Sequence, residues 1–308
     1  MASHHHHHHG SGHHHHGSGH HHHESGHHHH DSGHHHHHGH GDQDRHHHHH
    51  HHHHHQGWEG DDDLQCNHEE GIGKLNHVDL SSDPLFQKKD WTLSDWIEFS
   101  DKMPAGKSRG RPSPKLLQYV GDLLPTEPAR ILVPLCGKTP DLRWLYERGN
   151  EVVGIEGVEK LVSEFFKVHD TLTHTVEECS FGKLYKTTND RLKVYVCDIT
   201  KIPSNALGQF DAVFDWGAYS GIHKDDRQKY VEVVSGMLKE DYRYFVELCH
   251  DGPSDMVTGP SNVSLRDLKL HFGPERHLRF LETKDIAKEW GLDSFFNSYI
   301  IMTPMKKK

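Results

Sequence analysis

The hydrophobic pattern is clearest in the first strongly apolar stretch of the chain. The run 131–135 leads into Gly137 and predicts a strand that is buried on both faces. Residues 139–148 have helical spacing of apolar positions, and residues 151–155 form a second apolar run that ends on Glu156. This succession predicts the β-α-β unit that opens a nucleotide-binding or nucleoside-binding fold.

Helical and extended patterns alternate along the rest of the chain. Helical spacing predicts helices at 90–103, 115–124, 158–169, 226–238 and 265–272. Strands are predicted at 184–187, 192–197, 210–215, 242–249, 278–282 and 295–302, the first two as a hairpin and the last two as a closing antiparallel pair. The order predicts an α/β chain with the Rossmann-like seven-stranded fold of S-adenosylmethionine-dependent methyltransferases.

Gly137 and Glu156 stand where such a unit binds its ligand. The first turn passes close under the ligand, which favours glycine, and an acid ending the second strand can accept from both ribose hydroxyls. The G-x-G-x-x-G pattern that makes room for a pyrophosphate is missing. A nucleoside without phosphates fits better, and S-adenosylmethionine is the common one. The alternative is an ordinary α/β core with an acid at the end of one strand.

Two later strand ends carry candidate ligand contacts. The third core strand ends at Asp198, whose carboxylate can accept from the exocyclic amine of adenine, while Ile199 can cover the ring face. The fourth ends at Asp215 and Trp216, at the carboxyl edge where such sheets bind ligands. Asp215 is therefore a candidate base toward the acceptor; binding of the methionine amino group or capping of the next turn are alternatives. Cys136 is expected in the core or turn rather than as a nucleophile.

Composition separates an N-terminal tail from the rest. Residues 1–55 contain 34 of the 42 histidines, in runs separated mainly by Gly and Ser. Such a segment has little to bury, so we expect a disordered polyhistidine tail at 1–55, an acidic linker at 56–89 and a methyltransferase domain at 90–308. The tail is expected to bind Zn, Ni or Cu ions with low selectivity, whether it is natural or a purification tag. Candidate ligands include His46, His47 and His48.

Charge and cysteine usage narrow the class of protein. The formal net charge is −11, but residues 1–89 carry 12 acids and 4 bases, so the remainder is nearly neutral. Nothing therefore points to nucleic acid or an anionic membrane as partner. The five cysteines form no paired framework, and no apolar run reaches membrane-spanning length. We expect a cytoplasmic monomer that acts on a small-molecule acceptor.

Several ordered segments resemble the thiopurine S-methyltransferase family over roughly residues 90–308. They are Pro134-Leu135-Cys136-Gly137-Lys138, Val153-Gly154-Ile155-Glu156, Gly208-Gln209-Phe210-Asp211 through Asp215-Trp216-Gly217-Ala218, and Glu289-Trp290-Gly291-Leu292-Asp293. The resemblance implies transfer of a methyl group from S-adenosylmethionine to a sulfur or related soft nucleophile. It also implies a cofactor contact at Leu135, a ribose contact at Glu156, an adenine contact at Ile199 and a covering side chain at Trp96. Gly137, Asp198 and Asp215 complete the predicted cofactor set.

The residues that differ from the family pattern lie in segments expected to contact the methyl acceptor. Trp216 replaces the Arg of the family's Asp-Arg-Gly-Ala segment, Ser100 replaces a second N-terminal Trp, and Arg109-Gly110-Arg111-Pro112 replaces Phe-His-Gln. Trp216 and Arg279 are the predicted acceptor contacts. Loss of a guanidinium removes a partner for an anionic acceptor, and the indole adds an apolar wall, which argues against thiopurine specificity.

Two other functions remain open at this stage. The first is a halide or thiocyanate methyltransferase, which the apolar Trp216 would suit. The second is a metal-binding protein that acts through the polyhistidine tail while the methyltransferase scaffold is inactive. Stoichiometric binding of S-adenosylmethionine separates the methyltransferases from the inactive scaffold. The helix at 90–103 is likewise either a lid on the ligand or a flap on the core.

Overall fold

The computed structural model describes residues 82–88, 90–103, 110–254 and 262–306. The helices of this part are α1 Leu93–Lys102, α2 Pro114–Leu123, α3 Asp141–Glu147, α4 Glu159–Val168, α5 Ala218–Gly221, α6 Arg227–Ser235 and α7 Leu265–Phe272. Its strands are β1 Arg130–Pro134, β2 Glu151–Glu156, β3 His174–Cys179, β4 Gly182–Thr187, β5 Leu192–Val196, β6 Phe210–Trp216, β7 Leu238–His250, β8 Arg276–Asp285 and β9 Phe296–Pro304. Every helix and strand predicted from the pattern is present, with ends that shift by a few residues.

These strands form a single sheet in the order β3-β4-β5-β2-β1-β6-β7-β9-β8. Strands β5, β2, β1, β6 and β7 are parallel, while β9 is antiparallel to both β7 and β8. The part from β5 to β8 is the predicted seven-stranded arrangement, and the chain reverses its direction of strand addition between β1 and β6. The predicted α/β methyltransferase fold class is confirmed.

Strand β3 is not predicted by the sequence pattern, and neither is the one-turn helix α5. Strand β3 pairs with β4 from His174 opposite Thr187 to Cys179 opposite Gly182, and β4 in turn pairs with β5. Most β3 side chains are exposed, and the strand reads His-Thr-Val-Glu-Glu-Cys without apolar alternation. A strand at the sheet edge with little to bury leaves no hydrophobic signal. The sheet therefore has one strand more than the eight predicted, and β3 and the predicted β4 extend it beyond the seven-stranded arrangement.

Helices cover both faces of the sheet and bury two hydrophobic cores. On the first, called the α6 face, Tyr230 and Val234 of α6 pack with Leu268 of α7. On the second, called the α2 face, α2, α3 and α4 contribute Leu116, Leu142 and Phe165. Alternation along β6 places Asp215 toward the α6 face and its neighbours Phe214 and Trp216 toward the α2 face.

The predicted tail lies outside the described residues, as does most of the linker. His46, His47 and His48 belong to that part of the chain, so their metal binding stays a prediction. Residues Pro84–Gln87 form a 3-10 turn, and Leu85 is buried against Trp91, so folded contacts begin before residue 90. No helix within the described ranges is long and apolar enough to cross a membrane.

Candidate active site

A cavity of about 620 Å³ opens at the carboxyl ends of β1, β2 and β5. Helix α1 lies over it, and the residues around α5 and the start of α6 close one side. Its size is that of a site for a small organic molecule. Five of the predicted cofactor contacts line it, namely Trp96, Leu135, Glu156, Asp198 and Ile199.

Glu156 ends β2 and is buried in the cavity wall, with 4% of its surface exposed. Its Oε1 accepts from the amide of Gly137 at 3.0 Å, and its Oε2 accepts from the amide of Val158 at 2.8 Å. Burial raises the pKa of this carboxyl, while the backbone amides, including that of Gly157, oppose the shift. Because a carboxylate oxygen can accept two hydrogen bonds, each keeps capacity for a ligand hydroxyl.

The turn after β1 has a backbone that few side chains adopt. Leu135 has φ 45° and Gly137 has φ 55°, both in the left-handed region. The amide of Cys136 donates to the carbonyl of Ile155 at 3.0 Å, which ties the turn to β2. Strain of this kind persists where surrounding contacts impose it, and it is common at ligand sites. Gly137 itself does not line the cavity, but its amide holds the Glu156 carboxylate in place through a hydrogen bond.

Cys136 is buried beneath the same turn. Burial raises the pKa of its thiol well above the ordinary range, and the nearby Glu156 carboxylate adds to the shift. A thiol held in its neutral form is a poor nucleophile. Its placement fits the predicted role in the turn and core.

Asp198 and Ile199 follow β5, the strand next to β2, and border the same cavity. Asp198 Oδ1 accepts from the amide of Thr200 at 2.9 Å and from its hydroxyl at 2.7 Å, so the carboxylate caps the short 3-10 turn that begins at Ile199. Ile199 is buried, with 4% of its surface exposed. These bonds fix the orientation of a carboxylate and an aliphatic side chain that both border the cavity.

Helix α1 forms the roof and is fastened at both ends. At its start, the Thr92 hydroxyl accepts from the amide of Asp95, and the Asp95 carboxylate accepts from the amide of Thr92. At its end, the ammonium of Lys160 donates to the carbonyls of Ser100 at 2.7 Å and Met103 at 3.0 Å. These carbonyls carry the negative end of the helix dipole, so the cation both bonds and complements it.

Two further contacts hold the roof against the body of the domain. The amide of Lys224 donates to the Asp90 carboxylate at 2.8 Å. Leu93 packs over Gly157, where an added Cβ would meet Leu93 Cδ1 at 2.3 Å. The close approach of the roof to β2 therefore depends on glycine at this position. Of the two interpretations of this helix, the geometry favours the lid.

Asp215 is fully buried at the end of β6. Its carboxylate accepts from the amides of Ala218 and Tyr219 and from the hydroxyls of Tyr230 and Tyr244. Burial raises its pKa to about 6, although these hydrogen bonds oppose the shift. It does not line the cavity. The geometry thus resembles a cap on α5 more than an exposed base.

Comparison with known proteins identifies the family. The family model described as thiopurine S-methyltransferase matches residues 95–303. The chain belongs to the thiopurine S-methyltransferase family. Thiopurine S-methyltransferase of Rattus norvegicus is 31% identical over 56% of this chain and 75% of its own length. The probable thiopurine S-methyltransferase of Danio rerio is 33% identical over 56% of this chain and 78% of its own length.

Membership in the thiopurine S-methyltransferase family confirms the predicted family and S-adenosylmethionine-dependent methyl transfer. The comparisons give no support to the inactive metal-binding scaffold or to the halide methyltransferase. Among solved structures, Burkholderia thailandensis 1,6-didemethyltoxoflavin-N1-methyltransferase with bound S-adenosylhomocysteine is 14% identical, with a TM-score of 0.44 over 63% of this chain and 78% of that chain. No group of three or more His, Cys, Asp or Glu in the described ranges is arranged to hold a metal ion.

The two acceptor contacts carried over from the thiopurine S-methyltransferase family do not border this cavity. Trp216 is 7% exposed and stacks in the core of the α2 face, with its ring centroid 5.6 Å from that of Tyr299. Arg279 lies on β8, and its guanidinium pairs with Asp122 at 2.9 Å. Their acceptor roles remain predictions.

Sequence reasoning passed over three charged groups, of which Lys160 and Lys138 line the cavity. Lys160 fastens the lid, and Lys138 pairs with Glu164 at 2.9 Å in the cavity wall. Glu247 is buried near the carboxyl end of β7. The signal for Glu247 was available, since a lone acid interrupts the apolar run of β7. No local pattern marks the other two, because their partners are distant in sequence.

Proposed function

We propose that this chain transfers the methyl group of S-adenosylmethionine to a small thiol or another soft nucleophile, with the cofactor bound beneath α1. The observation that carries the proposal is the buried Glu156 carboxylate, which backbone amides hold in the wall of a cavity of about 620 Å³. A buried acid with spare acceptor capacity in a cavity of this size suits a ligand with neighbouring hydroxyls.

The residues present fit the parts of the cofactor. In this proposal, Glu156 accepts from the ribose hydroxyls and Asp198 from the adenine amine. The Asp198 bonds to Thr200 both use Oδ1, so Oδ2 is the oxygen assigned to the amine. Ile199 covers one face of the adenine, while Leu135 and Trp96 border the remaining length of the cavity.

The cofactor supplies a methyl group on a positively charged sulfur, which is a good leaving group. What the protein adds is alignment and exclusion of water. The fixed turn at Leu135 and the bonded Glu156 set the position of the ligand, and the lid covers it. The aromatic rings of the lid, Trp91, Trp96 and Phe99, contact one another with centroids 4.6 to 6.3 Å apart.

For Asp215 we propose a positioning role. Its four protein donors hold α5 and the tyrosines of α6 and β7 at the edge of the sheet. A carboxylate that already accepts from four donors has little capacity left to take a proton from an acceptor. The interpretation of Asp215 as the base is the alternative.

The test is calorimetric titration of the full chain with S-adenosylhomocysteine. We expect one site per chain in the wild type and a loss of affinity of at least about 100-fold in Glu156→Ala, since charged hydrogen bonds are worth about 1.5–3 kcal/mol each. Glu151→Ala removes a carboxylate from the other end of β2 and is expected to bind as the wild type does. Absence of binding to a folded wild-type chain, or equal loss in both variants, would overturn the proposal.

The finer predictions about partners and location also stay proposals. We propose a monomer that works in the cytoplasm on a small-molecule acceptor without nucleic acid. Metal binding by the histidines of residues 1–55 is proposed as a separate property of the tail. Gel filtration of the full chain would test the monomeric state, and metal titration would test metal binding by the tail.

A further inference from the structure

Glu247 is the acid in the sheet that the cofactor site does not use. It lies near the carboxyl end of β7 and is 5% exposed. Its Oε1 accepts from the Asn297 amide nitrogen at 2.5 Å, whereas its Oε2 is buried and meets no hydrogen-bond partner among the described residues. Burying a polar atom without a partner is costly, so such an atom calls for an explanation. A ligand that donates to Oε2 would supply one.

The position of Glu247 on the sheet connects it with the methyl-transfer site. It is level with Trp216 on β6 and with Tyr299 on β9, so the two aromatic residues flank it on the α2 face. Glu247 does not line the cavity, but β6 alone separates β7 from β1, whose last residue Pro134 precedes the cavity-lining Leu135. With strands about 4.8 Å apart, β7 lies about 10 Å from β1. A small organic acceptor can span that distance.

We propose that Glu247 binds the hydrogen-bond donor of the methyl acceptor and takes up its proton during transfer. The acceptor class is a neutral organic thiol. This inference rests on the proposed function and adds the residue that recognises the acceptor.

The charges on this face explain the preference for a neutral acceptor. The titratable groups on this face of the packed elements are Lys115, Tyr119 and Asp122 of α2, Arg279, Glu282 and Lys284 of β8, Tyr299 of β9, and Arg243 and Cys249 of β7 itself. The cations have other partners: Lys115 pairs with Glu282 at 2.8 Å, Arg279 with Asp122 at 2.9 Å and Lys284 with Glu289 at 3.4 Å, and Arg243 donates to the Asp122 carbonyl. No cation among the described residues is bonded to Glu247, so an anionic acceptor would meet an uncompensated carboxylate.

The protonation state of Glu247 suits the transfer of a proton near neutrality. Burial raises its pKa to about 7, and the Asn297 hydrogen bond opposes the shift. A base with such a pKa is ionised in a useful fraction at neutral pH and still accepts a proton readily. The geometry and this titration therefore point to the same role.

The step balances as follows. The acceptor sulfur forms a bond to the methyl carbon, and the bond from that carbon to the sulfonium breaks, with its electron pair left on the departing thioether. The S–H proton passes to Oε2 of Glu247 and leaves to solvent after product release. No oxidant, reductant or further reactant is needed.

The experiment compares the wild type, Glu247→Gln and Glu151→Gln as full chains. Glutamine is close in shape, and its carbonyl can still accept from Asn297, but it cannot take a proton. Glu151 begins β2 at the opposite edge of the sheet, where it pairs with Arg130 at 3.0 Å, so its variant controls for the same chemical change. Calorimetry with S-adenosylhomocysteine comes first, and equal affinity is expected in all three chains. Failure of the wild type to bind would overturn the proposed function itself.

Rates of methylation of benzyl mercaptan are then measured from pH 6 to pH 10. At pH 7 we expect Glu247→Gln to be slower by at least about 30-fold, because a thiol with a pKa of about 8.5 or higher is ionised to no more than about one part in 30 there. The deficit should shrink steadily toward pH 10, because a free thiolate needs no base, and Glu151→Gln should follow the wild type throughout. A merely structural role would lower the rate equally at every pH.

Three results would overturn the inference while leaving cofactor binding intact. They are a deficit that does not change with pH, no deficit at all, and a wild type that binds S-adenosylhomocysteine but does not methylate benzyl mercaptan. Thermal melts add a readout that does not depend on turnover. If Glu247 is a raised-pKa acid, the wild type should lose stability relative to Glu247→Gln as the pH rises from about 4.5 to about 7. A constant difference would contradict the assignment.

Discussion

The Lys160 ammonium is the contact through which the lid can be tested apart from the chemistry. Its two hydrogen bonds end on the carbonyls of Ser100 and Met103, at the last turn of α1. In Lys160→Met the apolar stem is kept and both bonds are lost. Charge-assisted bonds are worth about 1.5–3 kcal/mol each when buried, and for this partly exposed pair we expect about 2 kcal/mol in total.

That loss is expected to appear as weaker cofactor binding. If docking of α1 is required for binding, apparent affinity falls with the population of the docked lid. A change of about 2 kcal/mol corresponds to at most about 30-fold weaker binding of S-adenosylhomocysteine by calorimetry. Because Lys160 also borders the cavity, affinity alone does not separate the lid from a direct contact.

Hydrogen exchange of the free protein makes that separation. We expect amides 93–102 to exchange faster in Lys160→Met before any ligand is added, because the lid undocks more often. The control is Lys183→Met, which breaks an ion pair to Glu159 of the same helix α4 at 2.9 Å. Among the described residues, Lys183 forms no hydrogen bond or ion pair with α1. Unchanged exchange of α1 in Lys160→Met, or the same loss of affinity in both variants, would refute the reasoning.

Two further predictions concern positions outside the cavity. Asp215→Asn should melt at a lower temperature than the wild type, because the amide turns two N–H hydrogens toward groups that themselves donate, whereas the acid carries at most one hydrogen. The difference in melting temperature should narrow from pH 4 to pH 6. The reason is that the wild-type acid, with its pKa raised to about 6, is more stable in the protonated state, so its contribution of about 3 kcal/mol is lost as the pH rises. Gly182→Ala should lower the yield of folded protein, since an added Cβ would lie 2.0 Å from the Val196 carbonyl; Gly121→Ala, in open space, is its control.

The sequence pattern was sufficient for the parallel core and for the ends of its strands. Buried strands are recognised in the sequence as apolar runs. An acid that ends such a run therefore lies at the carboxyl edge of the sheet. Glu156 and Asp198 were found in this way, and both border the cavity. Strand β3 could not be found, because its side chains bury too little to leave a period.

The same reasoning could not predict contacts between segments that are distant in sequence. Lys160 and Ser100 are 60 residues apart, and nothing local in either segment indicates that one fastens the other. The sequence pattern also does not predict toward which face of the sheet a side chain at a strand end points. Asp215 and Trp216 are neighbours in sequence, yet alternation sends the first to the α6 face and the second to the α2 face.

The alternation of side chains along β6 explains the consequence of having Trp216 where the family pattern has Arg. An Arg at this position, as in the resembled Asp-Arg-Gly-Ala segment, would stand level with Glu247 on the neighbouring strand and on the same face. A guanidinium at that position could form an ion pair with the Glu247 carboxylate, and both groups would then have a partner. With Trp216 in its place, Glu247 has an apolar neighbour and an oxygen that no described residue satisfies. The substitution therefore does more than remove a partner for anions, because it leaves a buried acid available to a neutral donor.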